Sequence, residues 1–241
     1  MNLKLLADSL EFAKKVRYFY ESQKNSVESA ANNKKRLSEL SLVFVSKLSP
    51  ALREKFTDEL VVLDAAENTM GTANWLLVRY AGLSHAGTVV IVVRDHKILL
   101  AQRGSHVSDA NSWDLSAGGG LRSIDPEFIK RQAIQELFEE IFNAPNVPES
   151  LMQRYGASIQ SLGSHRIQGQ DKRYGWLDTK NFIHLMHWQE DFPEINLNPG
   201  EVSCVRWVTW AEFLDFVKHG GALNDLRHLS SEVLEKIKKQ L

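Results

Sequence analysis

The sequence has a single cysteine, Cys204, among its 241 residues, so no disulfide can form within the chain. A fold without disulfides is compatible with a reducing compartment. Long apolar runs are also missing, and the longest aliphatic run, residues 89–93, is far too short to cross a bilayer. The first residues lack the extended apolar core of a secretory signal peptide. We therefore expect a cytoplasmic protein without a membrane partner.

An excess of charge of either sign is absent as well. Lysine and arginine together number 29 against 30 acidic residues, which gives a formal net charge of -1. Proteins that bind nucleic acid generally carry a basic excess or patch, so this balance predicts no general nucleic-acid binding. Hydrophobic residues make up 43% and charged residues 24% of the chain, as in ordinary folded proteins. The length suffices for one large domain or two small ones.

Residues 1–84 carry apolar side chains at helical spacing, which predicts an N-terminal helical region. Asn32-Asn33 interrupts the pattern, and Ser49-Pro50 predicts the start of a short helix. A further helical segment is expected at about residues 57–80. This region contains no evident group of catalytic side chains. We expect it to pack on the rest of the chain or to form a homodimer contact through its helices.

From residue 85 onward, β-branched runs and turn residues replace the helical pattern. We predict a hairpin of two strands, then a helix, then three further strands separated by a polar loop and followed by two more helices. This order predicts an α/β (α+β) fold with a mixed sheet between helices, in a domain of residues 85–241. The predicted strands cover about residues 87–94, 97–103, 158–167, 181–188 and 203–208, and the polar loop covers residues 168–180.

The last two helices have recognisable ends. The sequence Thr209-Trp210-Ala211-Glu212 is a capping box and predicts a helix start. Gly220-Gly221 predicts the end of that helix. Ser231 predicts the cap of the final helix.

The most informative stretch covers residues 118–141, which read G-G-G-L-R-S-I-D-P-E-F-I-K-R-Q-A-I-Q-E-L-F-E-E-I. Glu136, Glu139 and Glu140 are spaced i, i+3 and i+4, so they share one face of a helix. Like charges on one face repel each other unless a cation lies on them. Carboxylate oxygens suit Mg²⁺, which commonly also binds substrate phosphates. A solvated acidic helix face is the alternative, and the glutamates alone do not decide between the two.

The residues around these glutamates add to the pattern. Asp125-Pro126 predicts a helix start, with aspartate as N-cap and proline at the first helical position. The glycines at 118–120 allow a tight turn and the close approach of a ligand. Apolar residues form a packing side next to the acidic face: Ile129, Ala133, Ile134, Leu137, Phe138 and Ile141.

This stretch resembles the Nudix box, G-x5-E-x7-R-E-U-x-E-E-x-G-U, where U is aliphatic. Glu136, Glu139 and Glu140 fall on the metal-binding glutamates of the box. Glu127 falls on its isolated upstream glutamate, and Leu137 on its first aliphatic position.

The chain departs from the box at four positions. Leu121 stands where the box has glycine, with Gly120 one residue early, so the turn has an extra residue. Gln135 replaces an arginine that in the family helps to orient the catalytic helix and its carboxylates. Phe142 and Asn143 replace the late glycine and the last aliphatic residue.

The resemblance extends beyond the box, from about residue 87 to residue 217, and includes two further segments of the family pattern at residues 113–119 and 198–208. It implies hydrolysis of the pyrophosphate linkage in a small-molecule nucleoside diphosphate derivative. It also implies Mg²⁺ or Mn²⁺ as cofactor, bound by Glu136, Glu139 and Glu140 as catalytic residues. The expected substrate-binding residues are Arg103, Gly119, Gly120, Glu127 and Glu201.

Two of these residues have open roles. Arg103 ends a predicted strand and can bind phosphate through its fork of donors, or form an ordinary ion pair. Glu201 is a candidate for the general base or an extra metal ligand, or it is an exposed loop glutamate.

Two other functions are alternatives to hydrolysis. A non-catalytic Nudix-fold module that binds nucleotide or protein is favoured by Gln135 and the altered turn. An isomerase of the isopentenyl diphosphate type requires a cysteine near the first strands, where this chain has none. His184 and His187 lie three residues apart on a predicted strand, on opposite faces, which argues against a shared metal ion. Cys204 is expected in the core.

Overall fold

The computed structural model describes residues 3–23, 30–55, 57–105, 107, 110–171, 175–219 and 229–241. The chain divides into two compact units. The first comprises Met1–Ala86, Gly120–Ile124 and Gln168–Lys180, and the second comprises Gly87–Gly119, Asp125–Ile167 and Asn181–Leu241. No helix in the described ranges is both long and apolar enough to span a bilayer.

The first unit combines helices with a β-hairpin. Its elements are α1 (Leu3–Gln23), α2 (Ala30–Lys47), α3 (Pro50–Lys55), β1 (Glu59–Leu63), β2 (Thr69–Asn74) and α4 (Trp75–Ala81). Strands β1 and β2 pair antiparallel from Glu59↔Asn74 to Leu63↔Thr69. Helix α4 begins where the Asn74 side chain accepts a hydrogen bond from the backbone N–H of Leu76. The core of this unit includes Val16, Leu37, Phe44, Leu60, Val62, Leu77 and Leu83.

The remaining elements lie wholly or mainly in the second unit. The strands are β3 (His85–Arg94), β4 (Lys97–Arg103), β5 (Trp113–Asp114), β6 (Ala117–Gly120), β7 (Gln160–Asp171), β8 (Gly175–His187) and β9 (Val202–Thr209). The helices are α5 (Pro126–Phe142), α6 (Glu149–Ser158), α7 (Trp210–His219) and α8 (Ser231–Lys238). Strand β4 pairs antiparallel with β3, β5 and β9, while β3 also pairs with β6 and β8.

Alternate residues of β3 supply two separate cores, as the period of two in a strand requires. Val90 and Val92 pack with α5 and α6 on one face of the sheet. Val89, Ile91 and Val93 pack with α7 and α8 on the other face. Helices therefore cover both faces, and the predicted mixed sheet between helices is confirmed.

The helical prediction for residues 57–80 is wrong over most of its length. Strands β1 and β2 occupy its first part, and only α4 is helical. The turn between the strands explains the difference, because Asn68 N–H donates to Asp64 Oδ1 (2.8 Å) and Asp64 N–H donates to the Asn68 carbonyl (2.9 Å). This local turn and the β-branched pair Val61-Val62 favour a hairpin. They outweigh the spacing of apolar residues that predicted a helix here.

Other sequence-based boundaries also differ. The predicted break at Asn32-Asn33 is wrong, since both residues lie inside α2 and Asn33 is buried. Most of the predicted loop at residues 168–180 is strand, and Gln168 Nε2 donates to Asp178 Oδ2 (3.2 Å) between β7 and β8. Helix α6 was not predicted. Ser230, one residue before the predicted cap, caps α8. The helix end predicted at Gly220-Gly221 lies outside the described residues.

The C-terminal end of α5 lies in an aromatic cluster. Phe142, at the position of the box glycine, is buried, and its ring centroid is 5.1 Å from that of Phe138, 5.5 Å from Phe192 and 5.8 Å from Trp188. Asn143 adopts the left-handed conformation (φ 49°) that ends the helix. Asn143, one residue after the position of the box glycine, thus ends the helix. Phe142, at the position of the glycine itself, is a core residue.

Phe142→Ala should lower the free energy of unfolding by about 3–5 kcal/mol, the usual loss for a deleted buried phenylalanine. Urea denaturation measures this loss. Asn143→Gly is the matched control, because glycine tolerates the same left-handed backbone, and a change within about 1 kcal/mol is expected. A Phe142→Ala loss as small as that of the control would contradict the core assignment.

Candidate active site

Helix α5 begins and ends with well-defined caps, and this fixes which side chains face the sheet. Asp125 Oδ1 accepts hydrogen bonds from the backbone N–H groups of Glu127 (3.1 Å) and Phe128 (3.0 Å), which confirms the predicted start. Arg131 forms a two-pronged ion pair with Glu149 of α6, with both N–O distances 2.7 Å. The helix is therefore held at its start and along its outer side.

Glu140 is a charged side chain buried at the edge of the core, with 8% of its surface exposed. Its Oε1 accepts a hydrogen bond from the Gly118 backbone N–H at 3.3 Å. Burial is the main reason that the pKa of Glu140 lies well above its usual value, and the negative charges of Glu136 and Glu201 add to it. The Gly118 hydrogen bond and the Arg103 charge oppose this rise in pKa. Three carboxylates and one guanidinium thus interact at Glu140.

The Glu136 carboxylate lies against the backbone of β6. A Cβ atom at Gly119 would fall 2.2 Å from Glu136 Oε1 and 2.6 Å from Oε2, so any larger residue there would displace the Glu136 carboxylate. On α5 itself, Gln132 Nε2 donates to Glu136 Oε1 at 2.7 Å. The group that approaches Gly119 closely is thus the carboxylate of Glu136, a candidate metal ligand, and the approach of a bound ligand at this glycine stays a prediction.

The loop before β9 brings Glu201 to the site. Asn198 N–H donates to the Glu140 carbonyl (2.9 Å), and Glu201 N–H donates to the Asn198 carbonyl (3.0 Å). On its other side, Gly104 N–H donates to the Glu201 carbonyl (2.6 Å). The loop is held between the last turns of α5 and the end of β4, so the charge of Glu201 acts on Glu140.

Arg103, the last residue of β4, forms the ion pair that was one of its two interpretations, while phosphate binding stays a prediction. Its guanidinium forms an ion pair with Asp114 of β5 at 3.6 Å. Its positive charge also acts on the carboxyl group of Glu140 and lowers its pKa. Arg103 is therefore a paired cation beside the acidic cluster.

The other predicted site residues have no described contact with the Glu140 carboxyl group. Glu139 is half-buried on α5. The Glu127 carboxylate is exposed and pairs with Lys130 at 3.2 Å. Gly120 belongs to the first unit, where a Cβ atom would fall 2.1 Å from Leu60 Cδ2. The structure thus brings together Glu136, Glu140, Glu201, Arg103 and Gly119.

The donors in this group fit a hard divalent cation, because they are carboxylate oxygens with an excess of negative charge. Across the ranges that the structure describes, no three His, Cys, Asp or Glu side chains converge closely enough to ligate one ion. Mutual repulsion separates like carboxylates that no cation bridges. Glu136 and Glu140 lie one helical turn apart on the same face of α5, the spacing at which one ion can bind two side chains.

Two departures from the box have structural explanations. Gln135 Nε2 donates to the Pro145 carbonyl beyond the end of α5, so this side chain binds the following segment. The backbone of Leu121 donates to the Ala86 carbonyl (3.0 Å) and accepts from Val61 N–H (2.7 Å) within the first unit. The extra residue of the turn is accommodated there as a fully buried, hydrogen-bonded residue.

The two histidines of β8, His184 and His187, and the cysteine of β9, Cys204, lie in different surroundings. His184 is buried and His187 is exposed, and His187 Nε2 lies 3.4 Å from Gln240 Oε1, so the two rings have different surroundings. Burial, followed by the charge of Lys130, lowers the pKa of His184 to about 4, so its ring is neutral. Cys204 is half-buried, with its S–H group donating to Gln102 Oε1 at 3.2 Å, so the core prediction was wrong. The sequence does not show that the amide oxygen of Gln102 lies next to Cys204 and accepts this hydrogen bond.

No family model matches the sequence, and no curated protein matches it. Many solved structures are similar, and a number of them are Nudix or MutT hydrolases. A Deinococcus radiodurans protein is 15% identical, covers 76% of this chain and 98% of its own, and has a TM-score of 0.48. A MutT Nudix hydrolase from Burkholderia pseudomallei is 17% identical, with coverages of 61% and 98% and a TM-score of 0.41. The Nudix domain of Shewanella oneidensis NrtR, solved with ADP-ribose, is 23% identical, with coverages of 65% and 86% and a TM-score of 0.40.

Glu140→Gln should stabilise the metal-free protein at neutral pH. The pKa of Glu140 is raised above its ordinary value of 4.5 in the folded state. The protonated Glu140 carboxyl group therefore stabilises the fold fully below pH 4.5. This stabilisation is lost as the pH rises through the raised pKa. At pH 8, with a chelator present, we expect the variant to gain roughly 1–3 kcal/mol, the usual cost of burying an uncompensated polar group.

Urea denaturation across the pH range measures this gain, which should disappear toward pH 4. Glu190→Gln changes an exposed glutamate in the same unit and serves as the control. Equal stability of wild type and Glu140→Gln at every pH would contradict the buried, charge-repelled state of Glu140.

Proposed function

We propose that this chain is a hydrolase that cleaves the pyrophosphate linkage of a nucleoside diphosphate derivative, with Mg²⁺ or Mn²⁺ as cofactor. The observation that carries the proposal is the placement of Glu136 and Glu201 beside the carboxyl group of Glu140, which is buried, accepts a hydrogen bond from Gly118 N–H and has its pKa raised by both neighbouring charges. Such an arrangement is unfavourable in an isolated protein and is stabilised by a bound divalent cation.

Glu136 and Glu140 are the proposed metal ligands, with Glu139 of the same helix completing the set. When bound, the ion would neutralise phosphate charge and lower the pKa of a water molecule. Glu140 must release its proton before it can ligate, so metal binding should be weaker at low pH. The hydrogen bond from Gly118 N–H holds one Glu140 oxygen in place during this exchange.

Arg103 is the proposed phosphate contact. It ends β4 beside the acidic group, and its pairing with Asp114 restrains the guanidinium in one place. Phosphoryl transfer depends mainly on positioning and on electrostatic stabilisation by the protein. A restrained cation next to the carboxylates serves both needs, because it attracts the phosphate and loses little side-chain entropy on binding.

Glu201 is the proposed general base. It is carried by a loop that is hydrogen-bonded to α5 and to the β4 end, so its carboxylate is held near the metal ligands without belonging to their helix. A base must lie within hydrogen-bond reach of the water that it deprotonates. Glu127 keeps a supporting role, because its pairing with Lys130 contributes to the first turns of α5. Gly119 provides the close backbone approach beside Glu136.

A non-catalytic nucleotide- or protein-binding module is the second candidate. The specific observation in its favour is that Gln135, at the arginine position of the box, contacts the Pro145 carbonyl. In this case the site would bind nucleotide without turnover.

The domain division at residue 85, the cytoplasmic location and a homodimer through the N-terminal helices remain part of the proposal. Tyr18 of α1 and Leu42 of α2 are 80% and 70% exposed. They are the side chains that a homodimer contact would cover.

Glu140→Gln should lower the rate of hydrolysis at saturating Mg²⁺ by at least about 100-fold, because it replaces a charged ligand by a neutral one of the same shape. The measurement is release of nucleoside monophosphate or phosphate over a panel of ADP-ribose, nucleotide sugars and dinucleoside polyphosphates. Glu190→Gln should retain the wild-type rate. Binding of nucleotide by the wild type without any turnover would support the second candidate instead, and wild-type rates in Glu140→Gln would refute the ligand assignment.

A further inference from the structure

Gln132 contacts the candidate site from a position outside the glutamate pattern. It lies one helical turn before Glu136 on α5, and its Nε2 donates to Glu136 Oε1 at 2.7 Å. Residues four apart on a helix are neighbours on its surface, so this contact follows from the register of α5. Both side chains are half-buried, which restricts the rotamers that compete with the contact.

Gln135, in contrast, contacts a group outside the site. It stands at the position where the box resemblance leads one to expect an orienting arginine, but its amide binds the Pro145 carbonyl. Gln135 therefore anchors the segment after α5. At Glu136, by comparison, Gln132 of the same helix donates a hydrogen bond to the carboxylate.

The surroundings of Glu136 explain why its orientation needs restraint. The charges of Glu136 and Glu201 both act on Glu140, so each of these two carboxylates repels the Glu140 carboxylate. The Gly119 backbone limits Glu136 on one side, where the position of a Cβ atom is taken by its carboxylate. An amide donor adds restraint without a positive charge, which would oppose a divalent cation.

We propose that Gln132 is a positioning residue, which orients the Glu136 carboxylate against Gly119 for binding a divalent cation. This inference rests on the proposed function, because it assigns Gln132 a role toward the same metal ligands. Groups that hold metal ligands by hydrogen bonds commonly change metal affinity by about 10-fold or more, since a misdirected ligand must be reoriented on binding.

The test is a Mn²⁺ titration of the nucleotide-free protein, followed by the electron paramagnetic resonance signal of free Mn²⁺. Gln132→Met keeps the length of the side chain but removes its N–H donor, and it should weaken Mn²⁺ binding about 10-fold or more. Gln135→Met is the matched control, with the same substitution on the same helix, and its affinity should stay within about twofold of wild type.

A double-mutant cycle separates positioning from a general structural effect. In a Glu136→Gln background, Gln132→Met should have no further effect on Mn²⁺ affinity, because the group through which Gln132 acts has lost its charge. Melting temperatures of all variants check folding. If Gln132→Met folds poorly, Gln132→Ala replaces it, since alanine favours the helix and also lacks the donor.

The outcomes distinguish this inference from the proposed function. If the wild type binds Mn²⁺ and hydrolyses nucleotide while Gln132→Met binds Mn²⁺ equally well, the positioning role is overturned and the hydrolase proposal stands. An equal loss in Gln132→Met and Gln135→Met, or an undiminished loss in the Glu136→Gln background, also overturns it. If the wild type binds no Mn²⁺, both proposals are overturned together.

Discussion

The burial of the Glu140 carboxyl group is the constraint on which the candidate site depends. A carboxylate that is removed from water and faces two other negative charges is unstable unless protonated, hydrogen-bonded or bound to a cation. The Gly118 hydrogen bond supplies part of this compensation, and the Arg103 charge another part. A divalent cation would neutralise the negative charge that remains. The proposed binding of a cation at Glu140 thus comes at the expense of the stability of the metal-free protein.

The sheet of the second unit explains how the group is assembled. Helix α5 packs through Leu137, Phe138 and Ile141 on one face of β3 and β4, which directs Glu136 and Glu140 toward the glycines of β6. The opposite face of the same strands is covered by α7 and α8. Because both faces are packed, a shift of a strand by one residue would exchange the side chains of the two cores and disrupt the packing of both. The positions of the carboxylates thus follow from the hydrophobic cores.

Sequence reasoning predicted the parts of this arrangement that depend on local patterns. The Asp125 cap, the shared face of the glutamates, and the strands on either side of Asp95-His96 all have short-range signals. The β1–β2 hairpin was missed because apolar residues there fit a helical spacing as well as a strand. The contacts of Gln132 and Glu201 were out of reach for another reason, since the direction of a flexible side chain and the course of a loop depend on neighbours distant in sequence.

The departures from the box are linked through the end of α5. Phe142 fills an aromatic cluster with Trp188 and Phe192, and Gln135 binds the carbonyl of Pro145 just beyond the helix. Both side chains therefore stabilise the C-terminal half of α5 and the segment that follows it. A residue engaged in this way cannot also orient the Glu136 carboxylate. The contact from Gln132 lies one turn earlier on the helix, where it acts on Glu136 without disturbing the packing of the helix end.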